Sequence, residues 1–258
     1  MLASMAGERS ATVAGLAIVA VAFGVVAILG ASILGNRGPG GSASLPTGTS
    51  TPFALATSTP EPTATVSPEP TATFGARLHI AVFGDSIAAA DWQDLLEAAL
   101  KARDPTGSYV VVNYAKRATR LDYTEQQVAS FPATKYQLAI VIVGRNDYKH
   151  VWPDSVKVAA YQKRMAAVVA SLEKKGLIVL MANAPPDFVD GAITEGTAKL
   201  AQLIRDVAGA RLVDLEQLFR DQTDPAPLYS DFEHQTAAGQ QLISDAFEQQ
   251  LIDRQLIP

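Results

Sequence analysis

The chain has 258 residues, 48% hydrophobic and 18% charged, with 21 Lys+Arg against 26 Asp+Glu, a formal net charge of -5 and no cysteine. That length allows one or two domains, and the acidic balance leaves no broad basic surface, so nucleic acid is not an expected partner. Without cysteine there is no disulfide framework, zinc ribbon, iron–sulfur cluster or thiol nucleophile, and three histidines (His79, His150 and His234) are too few for a His-rich metal site.

A short tail, residues 1–10, precedes a run without a single charge, ATVAGLAIVAVAFGVVAILGASILG at 11–35. About 20 such residues cross a hydrocarbon core of roughly 30 Å, so this run predicts one transmembrane helix. It exceeds the roughly 7–15 apolar residues of a cleavable signal, and no clean A-x-A site follows, which favours an uncleaved anchor. Arg9 and Arg37 balance each other across it, so flanking charge does not fix its orientation.

Residues 36–76 form a linker rich in Thr, Pro and Ser, with PEPTAT occurring twice, at 60–65 and 68–73. Such a composition cannot bury a core and predicts a disordered, extended spacer reaching on the order of 100 Å at about 3.1 Å per residue. A stalk of that length is most useful outside the cell, so the domain beyond it is expected to be extracytoplasmic.

Residues 77–258 read as one globular domain. Apolar runs at 78–83, 109–113, 137–143, 177–182 and 211–215 predict strands, and helical patterns fall between them at 91–103, 122–130, 155–175, 193–208 and 236–254. Strands that are apolar throughout suit a parallel sheet covered on both faces. The alternation therefore predicts an α/β fold, a three-layer α/β/α sandwich with about five parallel strands. Ligands in such folds bind beyond the carboxyl ends of the strands.

Polar residues at those ends can converge. Gly84-Asp85-Ser86-Ile87 follows the first strand, Gly144-Arg145-Asn146-Asp147 follows the third, and Asp231-Phe232-Glu233-His234 precedes the last helix. A serine at a strand-to-helix turn presents its hydroxyl beside free backbone N–H groups. His234 can act as its base, and an Asp three residues earlier can fix the imidazole tautomer. His150 also lies near the third strand's tip but has no Asp three residues ahead of it, and His79 falls inside a strand as a structural residue.

These three blocks, in this order and spread over essentially all of 77–258, resemble those of the SGNH hydrolases, the GDSL esterase/lipase family. The resemblance implies a flavodoxin-like sandwich and a catalytic triad of Ser86 as nucleophile, His234 as general base and acid, and Asp231 as its orienting partner. It also implies oxyanion donors at Asn146 and the Ser86 backbone N–H, and no metal or organic cofactor. The third backbone donor of the family usually belongs to a glycine on the loop after the second strand. Here that loop reads NYAKRAT at 113–119, with Ala118 at the glycine position and Ala115 as the other alignment. Alanine tolerates positive φ poorly, so the departure bears on the loop's conformation.

The expected activity is hydrolysis of an O-acyl ester through an acyl-enzyme at Ser86, the substrate being a small acyl ester, an acylated envelope glycan or a lipid. Transfer of the acyl group to a sugar hydroxyl and an inactive binding module are the alternatives. Lys116, Arg117, Arg120, Arg145 and Lys149 cluster on the same loops. Arg145 and Arg117 are therefore candidate contacts for an anionic substrate, against the plainer reading of a solvated set of loop charges.

Overall fold

The computed structural model describes residue 74 and residues 77–258. The tail, the apolar run at 11–35 and all of the linker but Phe74 lie outside the described residues, and so do the expectations made for them. Among the described residues no helix is long and apolar enough to cross a membrane.

The chain runs β1 (Arg77–Gly84), α1 (Trp92–Arg103), β2 (Ser108–Asn113), α2 (Leu121–Ser130), β3 (Leu138–Ile142), α3 (Tyr148–Val151), α4 (Ser155–Lys174) and β4 (Ile178–Ala182). It continues through β5 (Phe188–Val189), β6 (Ala192–Ile193), α5 (Ala198–Ala208), β7 (Leu212–Val213), α6 (Leu215–Arg220) and α7 (Ala237–Asp253). Five strands form a parallel sheet in the order β2-β1-β3-β4-β7, while β5 and β6 pair as a separate antiparallel hairpin. This is the expected α/β sandwich.

Alternation along each strand feeds two cores. Leu78, Ile80 and Val82 of β1 and Leu138, Ile140 and Ile142 of β3 pack on one face with Trp92, Leu96, Phe219, Ile243 and Phe247 of α1, α6 and α7. Ala81, Phe83, Ala139 and Val141 point the other way, onto Val128, Met165, Leu172, Leu200 and Ile204 of α2, α4 and α5. Strands buried on both faces explain why the sequence reads as unbroken apolar runs. Each large side chain so buried contributes about 1.5–3 kcal/mol.

Two boundaries differ from expectation. The helical pattern assigned to 193–208 starts only at Ala198, because Phe188–Ile193 turns back on itself through Asp190 (φ +52°) and Gly191 (φ +81°). An Asp-Gly pair with both φ positive is the two-residue hairpin turn. The run at 211–215 gives a strand of only two residues, since Asp214 leaves the sheet to cap α6 by accepting from the Gln217 N–H at 3.2 Å.

Phe74 packs half-buried against the first core, and its N–H donates to the carbonyl of Leu256 at 3.3 Å. The chain thus enters the domain beside its own C-terminus, at the start of β1.

Candidate active site

Chain order in the sheet reverses between β1 and β3, which opens a crevice at their carboxyl ends. Gly84 closes β1 at φ +146°, and a Cβ there would sit 1.7 Å from the Ile142 carbonyl oxygen, so only glycine fits. Asp85 follows, fully buried. Its Oδ1 accepts from the Ile87 N–H (3.1 Å) and its Oδ2 from the Arg145 N–H (3.2 Å), which ties the two strand ends together. Burial outweighs these donors and pushes the Asp85 carboxyl up to about 7. The indole N–H of Trp92 donates to the Ile87 carbonyl at 2.9 Å and fixes the turn from the helix side. Ser86 sits in this turn, nearly buried, ahead of α1.

The second half comes from the turn before α7. The Ser230 N–H donates to the His234 carbonyl at 2.9 Å, and the Phe188 N–H to the Phe232 carbonyl at 2.9 Å, so the turn is held from within and from the β5–β6 hairpin. Asp231 Oδ1 accepts from the N–H groups of Glu233 (2.8 Å) and His234 (2.7 Å), and its Oδ2 lies 2.8 Å from His234 Nδ1. Partial burial acts to raise the Asp231 carboxyl, but those two N–H groups and the imidazole outweigh it and hold it at about 2. An ionised Asp231 keeps the proton on Nδ1 and leaves the Nε2 lone pair to face Ser86 Oγ, 3.2 Å away.

The opposite wall carries donors. Ala118 adopts φ +58°, the left-handed conformation a glycine would take without strain. Asn146 donates one Nδ2 proton to the Thr119 carbonyl at 2.9 Å, bracing that loop and leaving its second proton for another acceptor. Asp147 is buried and accepts from the Leu121 N–H at 3.0 Å, so it seats the start of α2 on the turn after β3; burial pushes its carboxyl up to about 6.

A cleft of about 780 Å3 lies alongside, with Ala118, Asn146, Tyr148, Asp187, Phe232 and Glu233 in its wall. Arg145 also lines it, but in a different state from the expected substrate cation. Its Nη2 lies 2.5 Å from Asp187 Oδ1 and its Nε 3.0 Å from Glu233 Oε2, with only 10% of the side chain exposed. Two internal carboxylates already match its charge. Arg117 is exposed on the 113–119 loop, and the cationic lining of the cleft comes instead from Arg120 and Lys149. His150 lines the cleft without replacing His234 at the serine, and His79 reaches Ser108 Oγ at 3.5 Å from within β1. Sequence reasoning missed Asp187, which lies on an irregular loop, and passed over Phe232 and Glu233 although both stand inside the block it singled out. Among the described residues no group of three or more His, Asp or Glu could hold a metal ion.

Residues 82–242 match the profile of the GDSL-like lipase/acylhydrolase family. No curated protein matches the chain by sequence. Among solved structures, the chain is similar to the acetyl xylan esterase AlAXEase, with 19% identity and a TM-score of 0.57 over 67% of this chain and 100% of that one. It is similar to a lipase/acylhydrolase from Enterococcus faecalis, with 16% identity and a TM-score of 0.56 over 69% and 96%. A two-domain esterase active on acetylated mannans aligns at 16% identity and a TM-score of 0.54, over 70% of this chain and 50% of that one.

Proposed function

Because the chain belongs to the GDSL-like lipase/acylhydrolase family and is a serine ester hydrolase of the SGNH type, we propose that it cleaves O-acyl esters through an acyl-enzyme at Ser86. The observation that carries this reading is the relay from Ser86 Oγ through His234 to Asp231, at 3.2 and 2.8 Å. Ser86 Oγ attacks the acyl carbon and gives its proton to His234 Nε2. The carbonyl oxygen gains negative charge, which the N–H groups of Ser86 and Ala118 and the Asn146 amide stabilise. The C–O bond to the alcohol breaks as His234 returns the proton to the leaving oxygen. Water then repeats the sequence in reverse on the acyl-enzyme, releasing the acid and restoring Ser86. No step calls for a metal or an organic cofactor.

The substrate in this reading carries a short acyl group, acetyl above all, on an envelope glycan. Two kinds of support point there: the names of the structural neighbours, which include acetyl xylan and acetylated mannan esterases, and a cleft walled by polar side chains with aromatic Phe232 and Tyr148. The run at 11–35 anchors the chain in the cell membrane as a single pass, and 36–76 carries the catalytic domain outward to reach a polymeric substrate.

Fluorophosphonate labelling of the full-length protein tests the chemistry without knowledge of the substrate. Label is expected on the Ser86 peptide and absent from Ser86→Ala and His234→Ala, each of which also lowers kcat on p-nitrophenyl acetate by roughly 10^4-fold or more. A folded protein that takes no label at Ser86 would overturn the reading.

A further inference from the structure

The turn that holds the base also holds a carboxylate that competes for it. Glu233 Oε1 lies 4.0 Å from His234 Nε2, the same nitrogen that faces Ser86 Oγ at 3.2 Å. A carboxylate free to close that gap would favour a proton on Nε2, accept a hydrogen bond from it as an ion pair with the imidazolium, and so remove the lone pair that faces the serine. Glu233 is not free. Its other oxygen, Oε2, lies 3.0 Å from Arg145 Nε, and Arg145 is pinned by Asp187 at 2.5 Å and packs 5.9 Å from the centre of the Phe232 ring.

Arg145 is built for this place. It sits between Gly144 and Asn146, its backbone N–H is fixed by buried Asp85, and its guanidinium spans three segments: the turn after β3, the loop after β4 and the 231–234 turn. Its Nη2 and Nε stand at ion-pair distance from two different carboxylates, Asp187 and Glu233, with Nε outside hydrogen-bond alignment, and a single ammonium does not spread its charge over both places. The charged groups around the imidazole are Asp231 and Glu233 on its own turn and Arg145 and Asp187 across the cluster. Arg120, Lys149 and His150 lie further along the cleft.

The geometry points to Arg145 as a positioning residue that holds Glu233 off His234, so that Nε2 stays available to Ser86. The inference deepens the proposed mechanism and rests on His234 being its base. Removing Arg145 deletes a cation and unmasks two anions, and both changes favour the imidazolium. The midpoint of His234 titration then moves up, and the acid limb of kcat/KM moves with it.

The test is NMR titration of the histidine ring C–H signals in the full-length protein, whose only histidines are His79, His150 and His234. This readout does not depend on turnover. Arg145→Gln is expected to raise the His234 midpoint by about one pH unit, Glu233→Gln to lower it by less, and the double variant to return it close to wild type. Arg145→Lys restores the charge but only part of the midpoint. Glu233→Gln leaves both Arg145 and Asp231 in place, so its downward shift is a second check should Arg145→Gln fold poorly. A His234 midpoint that ignores Glu233→Gln, or that stays raised in the double variant, overturns the inference. Failure of the esterase reading shows separately, as absence of fluorophosphonate label on Ser86.

Discussion

At the scale of single residues, Ala118 holds a left-handed φ of +58° in the loop beside the serine. A non-glycine residue in the left-handed region costs on the order of 1 kcal/mol, offset in the glycine variant by about 0.5–1 kcal/mol from a looser unfolded chain. Ala118→Gly is therefore expected to change stability by less than about 1 kcal/mol, towards stabilisation, and to keep activity. Ala118→Val, β-branched at positive φ, should cost more than about 1 kcal/mol and lower kcat, because the loop must move its N–H to relieve the clash. Urea unfolding with ester hydrolysis measures both. Ser86, Asn146, Asp231 and His234 were legible because each sits at a strand end or helix start whose position the apolar pattern fixes. The pairing of Arg145 with Asp187 was not, since Asp187 lies in a stretch with no periodicity to say where it points. Charge counting along the loops placed the arginine correctly but could not show that its charge was already matched.

At the scale of elements, the helices are capped in ways that separate stability from catalysis. Thr236 Oγ1 accepts from the Gly239 N–H at 3.3 Å at the start of α7, and Asp154 accepts from the N–H groups of Val156 and Lys157 at the start of α4. Loss of either cap should cost about 1 kcal/mol. Thr236 also donates to the Pro227 carbonyl at 2.7 Å and stands two residues after the base. Thr236→Ala is thus expected to lower kcat/KM on p-nitrophenyl acetate, whereas Asp154→Ala should leave it unchanged; equal kinetic effects would contradict the argument. Long, buried elements such as β1, β3 and α4 were readable from the sequence to within a residue or two. The β5–β6 hairpin was not, although Asp190-Gly191 is its signal, because two-residue strands carry too little alternation to register. The four residues of α3 were lost for the same reason.

For the whole molecule, buried carboxyls set the dependence of stability on pH. Asp85 and Asp147 titrate near 7 and 6 when folded and near 4 when unfolded. Their contribution is present in full below pH 4 and is lost as pH rises through 6 to 7, with a slope of at most about 1.4 kcal/mol per pH unit for each group. Asp231, held at about 2, acts in the opposite sense: its contribution is present above pH 4 and lost as pH falls towards 2. Glu97, whose lowering by Lys101 and the Val111 N–H outweighs its burial, adds to the acid side. Melting temperature should accordingly peak near pH 4, fall from there through pH 7 as the two buried carboxyls ionise, and level off by pH 8, and Asp85→Asn should flatten that alkaline flank. A wild-type protein that melts no lower at pH 8 than at pH 5 would refute this assignment.

The meeting of Phe74 with Leu256 has a practical consequence. Phe74 and Leu256 bring the two borders of the domain together near the start of β1, whereas the active-site turn follows the far end of that eight-residue strand, about 23 Å away at 3.3 Å per step. A handle attached at either end grips the back of the enzyme. Immobilisation on a bead, fusion to a carrier or tethering to any surface through residue 74 or residue 258 therefore leaves the mouth of the cleft unobstructed. The catalytic unit can be grafted by its termini without redesign of the face that works.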